Sequence, residues 1–100
     1  MSAGSEKASD RQISYLRQLI DRRRREYRQM LEAGRHPEVQ EARLEVLDML
    51  ERMLDTLTRE QASKLIDVLL YPMKYARIGS PGAWRFRDFT EEILRILGKW

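Results

Sequence analysis

The chain has 100 residues, of which 42% are hydrophobic and 35% charged, so we expect one globular domain and exclude a disordered chain or two independent domains. Because there is no cysteine, disulfide bonds and thiolate metal sites are excluded, and a reducing, cytoplasmic setting is expected. The apolar runs are too short to span a membrane, and the net charge of +3 mildly favours a polyanionic partner.

The sequence predicts an all-α fold whose first helix spans residues 9–33. Ser9 and Gln12 have the spacing of a capping box, in which the serine hydroxyl accepts from a free amide and the glutamine reaches back. Gly34 is expected to end the helix in a left-handed conformation. Residues 1–8 lie before the cap, and we expect a disordered tail there. The apolar stripe of this helix contains Ile13, Leu16, Ile20, Tyr27, Met30 and Leu31.

The second predicted helix spans residues 37–56 and folds back on the first. Pro37 suits its first turn, where the missing N–H group is no loss. The link at residues 34–36 is short, so the two helices are expected to form an antiparallel hairpin. The residues expected on the buried face of the second helix are Val39, Val46, Leu47, Leu50, Met53, Leu54 and Leu57.

Two more helices complete a single predicted domain, which covers residues 9–100. Thr58 and Gln61 form a second capping box and open a third helix over residues 59–71. Pro72 ends this helix because proline cannot continue the pattern of backbone hydrogen bonds. After a turn rich in glycine and proline, a short C-terminal helix is expected over residues 89–98.

The first and third helices begin alike, with the pattern [S/T]-x-x-Q-[I/A]-S-x-L. Either an internal duplication or the common demands of capped amphipathic helices explains this likeness. The second start continues as LTREQASKLIDVLLYP over residues 57–72. With the Q-x-x-Y-L-x-x-L pattern of the first start, it resembles a small module of uncharacterised proteins of actinobacterial phages, over about residues 9–72. The resemblance implies a helical fold in a phage or bacterial cytoplasm and no particular activity.

Catalytic chemistry is not indicated by the residues present. His36 is the only histidine, and we expect it to be a solvent-facing turn residue rather than an acid–base group or a metal ligand. No second histidine or cysteine could complete a metal site, and no glycine-rich phosphate loop occurs. The sequence therefore predicts a protein that is not an enzyme and that needs no cofactor or metal.

Four consecutive arginines, residues 22–25, lie in the middle of the first helix. At 100° per residue, Arg22 and Arg25 point away from the apolar stripe, in a row with Arg11. Arginine suits bidentate contact with phosphate. The row is therefore the first surface predicted to bind nucleic acid.

The other two arginines of the run have a different expected role. Arg23 and Arg24 flank the apolar stripe, where their stems can cover the edge of the core. The second helix is acidic, and we expect these two arginines to pair with Glu45 or Asp48 along the hairpin. Such pairs help to fix the register of two helices more than they stabilise the fold.

A second basic segment runs over residues 71–87 and contains no acid. Its cations alternate with aromatic residues, a combination that binds single-stranded nucleic acids. The alternative is that the aromatic residues anchor the last helix in the core and the arginines are merely solvated. The candidate nucleic-acid-binding residues of this segment are Lys74, Tyr75, Arg77, Arg85 and Arg87.

These surfaces predict a small non-enzymatic protein that contacts nucleic-acid phosphates through arginines. The alternative is a phage accessory protein that binds a host or phage protein through helix 37–56, whose apolar spacing would also suit a homodimer. A purely structural or assembly role is a third interpretation. The residues expected to contact a protein partner are Val39, Val46, Leu50 and Met53.

Overall fold

The computed structural model describes residues 6–75 and 89–98, and four α-helices lie within these ranges. No β-strand occurs there, so the predicted all-α fold is confirmed. None of the helices in these ranges combines the length and apolarity needed to cross a membrane. The helices are α1 (Asp10–Glu32), α2 (Pro37–Met53), α3 (Arg59–Leu70) and α4 (Phe89–Ile96), with short 3-10 turns at Leu54–Thr56 and Pro72–Tyr75.

Both predicted capping boxes are confirmed. The Ser9 hydroxyl accepts a hydrogen bond from the Gln12 N–H at 3.1 Å, and the Gln12 side-chain oxygen accepts from the Ser9 N–H at 3.0 Å. Thr58 and Gln61 form the same reciprocal pair at 3.1 and 3.0 Å. These bonds satisfy amides that the first turn of a helix leaves without partners, and they fix the starts of α1 and α3.

The link between α1 and α2 is a left-handed turn. Gly34 has φ of 73°, which confirms its predicted conformation. Its N–H donates to the carbonyl oxygen of Leu31 at 3.0 Å. The Arg35 N–H donates to the carbonyl oxygen of Met30 at the same distance, which completes a Schellman motif. His36 also has a positive φ, 43°, which is uncommon for a residue that carries a side chain.

The α-helical part of α2 is shorter than the predicted range 37–56. It ends at Met53, and the chain tightens into the 3-10 turn Leu54–Thr56, in which the Leu57 N–H donates to the Leu54 carbonyl oxygen at 3.4 Å. Both leucines are buried. The tighter turn therefore redirects the chain toward α3 while keeping these side chains in the core. The ends of α3 and α4 differ from the predicted ones by one or two residues.

The segment before α1 departs from the expected tail at residues 6–8. The Ala8 N–H donates to the Leu57 carbonyl oxygen at 3.0 Å, and the Arg59 N–H donates to the Glu6 carbonyl oxygen at 2.7 Å. These bonds form an isolated antiparallel bridge between Lys7 and Thr58, the residue that caps the start of α3. Because its partners lie about fifty residues away in the chain, this pairing has no local sequence signal.

Helix α1 packs against both α2 and α3. Its contacts with α2 run in opposite sequence order: Arg24 bonds to Asp48, whereas the later residue Tyr27 lies beneath the earlier residue Arg43. This order is the one that an antiparallel hairpin requires. The contacts with α3 run in the same order as the chain, from the bond between Gln12 and Ser63 to the contacts of Arg23 at the end of α3.

The core lies beneath α1 and draws on all four helices. Tyr27 of α1 stacks on Phe89 of α4, with ring centroids 5.6 Å apart and an angle of 27° between the planes. The guanidinium of Arg43 lies 5.0 and 5.7 Å from the two ring centroids, so α1, α2 and α4 meet in one aromatic and cationic cluster. The fully buried aliphatic residues include Leu16, Ile20, Leu47, Leu50, Leu65, Leu69 and Ile93.

Candidate nucleic-acid interface

The arginine run of α1 divides between two faces of the helix. Arg23 turns inward: its Nε donates to the Leu69 carbonyl oxygen at 2.8 Å, and a second nitrogen donates to the Leu70 carbonyl oxygen at 3.2 Å. These two carbonyls end α3, so the guanidinium caps the negative end of that helix. The expected pairing of Arg23 with Glu45 or Asp48 is therefore wrong, because its side chain points to α3 rather than α2.

Arg24 turns toward the opposite neighbour, α2. It donates to Asp48 and Glu51 at 2.9 Å each, and to Asp21 of its own helix at 3.1 Å. Burial disfavours the charged guanidinium, but the hydrogen bonds and charges of Glu51 and Asp48 outweigh this effect and raise the pKa of Arg24. The predicted pair with Asp48 is present, and it crosses between the two helices.

Arg11, Arg22 and Arg25 lie on the exposed face of α1, as the apolar stripe predicts. Within residues 6–75 and 89–98, no carboxylate lies within ion-pair distance of these three guanidinium groups. The helix fixes their spacing, because residues 11, 22 and 25 return to one face of a 3.6-residue helix. The structure therefore places three of the predicted phosphate-binding residues on one face of α1.

The acids beside this row are already engaged with the inward arginines. Asp21 accepts from Arg24, and Glu26 accepts from Arg23 at 2.7 Å. Each inward arginine thus bonds to an acid at the edge of the exposed face, and neither of these two acids forms an ion pair with Arg22 or Arg25. A shallow depression on this face is lined by Gln18, Asp21, Arg22, Arg25, Glu26 and Gln29.

Two further arginines of α1 were not among the predicted site residues. Arg17 and Arg28 are exposed, and neither has an ion-pair partner among the described residues. On a helical wheel they lie on the side of α1 that carries Arg24, next to the acidic helix α2. The helical wheel that places Arg22 on the exposed face also predicts that Arg17 and Arg28 are exposed. The acids of α2 beside them weaken their attraction for a polyanion.

Lys74 and Tyr75 have a partner inside the chain. Both donate to one carboxylate oxygen of Asp67, Lys74 from its ammonium at 3.2 Å and Tyr75 from its hydroxyl. The Tyr75 hydroxyl, and then Lys74, hold the pKa of Asp67 below its ordinary value, and the bond to Asp67 raises the pKa of each donor. Because Asp67 compensates the charge of Lys74 and accepts from the Tyr75 hydroxyl, these two residues are not part of the candidate interface on α1.

The remaining residues of the second basic segment, Arg77, Arg85 and Arg87, lie outside the described residues. Asp67 precedes the segment by four residues and is the feature that the sequence interpretation missed. The 3-10 turn Pro72–Tyr75 folds the chain back over the end of α3 and brings the carboxylate to Lys74 and Tyr75. The lack of acid within residues 71–87 therefore does not leave Lys74 free of one.

The predicted protein-binding residues do not form one exposed surface on α2. Leu50 is fully buried in the core, so its predicted contact with a partner is wrong for the folded chain. Val46 and Met53 are partly buried against the same core. Val39 lies apart from them, in a largely apolar depression at the α1–α2 link that is also lined by Met30 and other residues of the link.

The structure places His36 on the surface of the link, where its side chain does not cap α2. No group of three or more histidine, cysteine, aspartate or glutamate residues arranged to hold a metal occurs in the described part of the chain. The exposed arginines of α1 are therefore the best-defined feature that could bind a ligand. Their chemistry is electrostatic, and guanidinium groups at fixed positions suit phosphate oxygens.

Comparisons with known proteins gave no match: the chain matches no protein-family model, no curated protein and no solved structure. The resemblance to phage modules stays a prediction.

Proposed function

We propose that the protein binds nucleic acid without enzymatic chemistry, by contacting phosphates through the exposed face of α1. The observation that carries this proposal is the division of the arginine run. Arg23 and Arg24 bond to α3 and α2 and to the acids beside them, whereas Arg22 and Arg25 stay exposed without an acidic partner among the described residues. A surface helix needs only mixed charges for solubility, so a row of uncompensated arginines calls for another explanation.

The spacing of the row suits a polyanion better than a single anion. Arg11 and Arg25 are about 21 Å apart along α1, at a rise of about 1.5 Å per residue. A small anion would reach only one end of this row, whereas a phosphate backbone carries charges along its whole length. Arg11, Arg22 and Arg25 could thus each contact a different phosphate of one strand.

The energetics predict binding that is weak and sensitive to salt. Exposed ion pairs contribute little in isolation, about 0–1 kcal/mol each. Contact with nucleic acid also releases condensed counterions, which drives sequence-independent binding with dissociation constants on the order of 10⁻⁴–10⁻⁶ M. We therefore expect affinity without strong base preference, and a marked loss of affinity as the salt concentration rises.

Fluorescence anisotropy of labelled oligonucleotides at several salt concentrations tests the proposal. With three phosphates contacted, the logarithm of the binding constant should fall with the logarithm of salt concentration at a slope of about −2 to −3. An uncharged peptide-backbone analogue of the same base sequence should not bind. Absence of binding to any oligonucleotide at low salt would refute the proposal.

A second candidate function, binding of a protein partner, rests on the depression at the α1–α2 link. Its lining is mainly apolar and includes Val39, one of the predicted partner-binding residues, together with Met30, which is 36% exposed. Such a depression suits an apolar side chain of another protein. The protein-binding surface would then lie at the first turn of α2, and not along the whole helix as the sequence predicts. Val39→Asp should abolish capture of a partner while leaving oligonucleotide binding unchanged.

A further inference from the structure

We infer that the exposed face of α1 binds single-stranded rather than double-stranded nucleic acid, and that Tyr15 supplies a plane on which a base stacks. The inference rests on the proposed function and names the class of nucleic acid that this face takes. Two observations carry it: an exposed aromatic ring between the arginines, and an acidic surface on the neighbouring helix.

Tyr15 lies between Arg11 and Arg22 on the exposed side of α1. It is four residues after Arg11 and seven before Arg22, spacings that return to the same face of a helix. Tyr15 is 40% exposed, whereas Leu16 and Ile20 of the apolar stripe are buried. An exposed ring flanked by cations is the arrangement that lets a base stack while its neighbouring phosphates are neutralised.

The acidic surface lies on the other side of α1. Arg24 points to α2, whereas Gln12 and Arg23 point to α3, so the two sides of α1 face different helices. Tyr15 lies one turn after Gln12, on the α3 side. The exposed acids of α2 are Glu38, Glu41, Glu45 and Asp48.

The width of a duplex makes this acidic surface decisive. The walls of the major groove are about 12 Å apart, and packed helices lie about 8–10 Å apart. A duplex with its groove centred on α1 would therefore bring one row of phosphates over the carboxylates of α2, and like charges would repel. A single strand can follow Arg11, Tyr15 and Arg22 on the α3 side and avoid α2.

A second exposed tyrosine lies further along the α3 side. Tyr71 is 58% exposed and lines a surface depression together with Arg23 and Met73. Arg23 is about 12 Å beyond Tyr15 along α1, at about 1.5 Å per residue. The surface therefore offers a further ring to a strand that continues from Tyr15 past Arg22.

The test measures the affinity of the full chain for three labelled probes of equal length: oligothymidine, an abasic strand, and oligothymidine annealed to oligoadenine. We expect oligothymidine to bind at least about fivefold more tightly than the abasic strand, the lower end of the effect of one stacked base. It should also bind more tightly than the duplex, although the duplex has more charge.

Variants of Tyr15 separate stacking from charge. Tyr15→Ala should remove the preference for oligothymidine over the abasic strand without changing the salt slope. Tyr15→Phe should keep the preference and the salt slope of the unmodified chain. Arg22→Ala should reduce the salt slope and keep the preference. A duplex that binds as tightly as the single strand, or an unchanged preference in Tyr15→Ala, would overturn the inference and leave phosphate binding intact. Failure of all three probes to bind would overturn the proposed function as well.

Discussion

The Nε of Arg23 donates a hydrogen bond of 2.8 Å to the carbonyl oxygen of Leu69, which joins the middle of α1 to the last turn of α3. A carbonyl at the end of a helix has no partner within the helix, and a cation there also meets the negative end of the helix dipole. The Arg23 side chain is only 14% exposed, so solvent competes weakly for this bond. One arginine of the run is thus part of the framework that holds the helices together.

Replacement of Arg23 by alanine should lower the free energy of unfolding by about 1–3 kcal/mol, because two helix-end carbonyls lose a charged donor. Arg22→Ala, the control, removes an arginine side chain from the exposed face and should change the free energy of unfolding by less than about 0.5 kcal/mol. Arg23→Lys should recover only part of the loss, since lysine lacks the planar fork that reaches both carbonyls. Urea denaturation of the three variants provides the comparison. Equal stability of Arg23→Ala and Arg22→Ala would contradict this assignment.

The glutamines of the two capping boxes each hold a second element as well as their own helix. The side-chain nitrogen of Gln12 donates to the Arg59 carbonyl oxygen at 3.2 Å, and that of Gln61 donates to the Ile96 carbonyl oxygen at 3.1 Å. Gln12→Ala and Gln61→Ala should each cost about 1–2 kcal/mol, near the upper range for a lost cap, because each removes the cap bond and at least one bond to another helix. Gln18→Ala, on the exposed face, is the control.

The glutamine prediction is checked by thermal unfolding followed by circular dichroism. A fall in melting temperature for both capping variants, with Gln18→Ala close to the unmodified chain, is the expected result. If the melting temperature of either capping variant equals that of the Gln18→Ala control, the bond of that glutamine to its second element does not contribute to stability.

These glutamines also show which contacts can be predicted from the sequence. The capping pairs join residues three positions apart, so local spacing predicts them correctly. The bonds from Gln12 to Arg59 and from Gln61 to Ile96 span 47 and 35 residues. Nothing in the local pattern specifies such partners, because they depend on how the helices pack.

The same limit applies to the candidate interface. The apolar stripe correctly orients Arg22 and Arg25 outward, since helix periodicity is a property of the chain itself. It cannot say which helix receives an inward arginine, and the predicted partner of Arg23 is wrong for that reason. Likewise, the 3-10 turn that brings Asp67 to Lys74 has no sequence pattern that would predict its path.

His36 is held in a left-handed conformation, with φ of 43° and ψ of 62°. Asparagine tolerates this region, whereas a β-branched residue clashes with its own backbone there. His36→Asn should therefore change the free energy of unfolding by less than about 0.5 kcal/mol, and His36→Val should lower it by about 1–2 kcal/mol. Chemical denaturation distinguishes the two. Equal tolerance of valine and asparagine would argue against a left-handed residue at this position.

The bond between Asp67 and Tyr75 predicts a dependence of stability on pH. The pKa of Asp67 is lowered in the fold, so its contribution is present above its unfolded pKa and is lost as pH falls through its folded pKa. The pKa of Tyr75 is raised, so its contribution is present below its unfolded pKa, about 10, and is lost as pH rises through its folded pKa.

Asp67→Asn should accordingly differ most from the unmodified chain near neutral pH. The difference in the midpoint of urea denaturation should shrink toward pH 2 and again above about pH 10. Tyr75→Phe should weaken the acid-side and the alkaline changes without abolishing either, because the remaining pair with Lys74 still lowers the pKa of Asp67 and raises the pKa of Lys74. A difference that stays constant across this range would contradict the proposed linkage.

The central claim is that the arginines on one face of α1, and not the net charge of the protein, bind phosphate. Two double variants with the same loss of charge separate these explanations. Arg22→Ala with Arg25→Ala removes two members of the exposed row. Arg52→Ala with Arg95→Ala removes two arginines from α2 and α4, and both of these side chains are exposed.

The deciding measurement is the salt dependence of oligonucleotide binding for the two double variants, by fluorescence anisotropy. The Arg22/Arg25 variant should bind more weakly, and the magnitude of its slope should fall by about 1.4–1.8, because two fewer counterions are released. The Arg52/Arg95 variant should keep the slope of the unmodified chain, since neither residue lies on the proposed face. Equal losses of affinity and slope in the two double variants would contradict the account and indicate attraction by net charge alone.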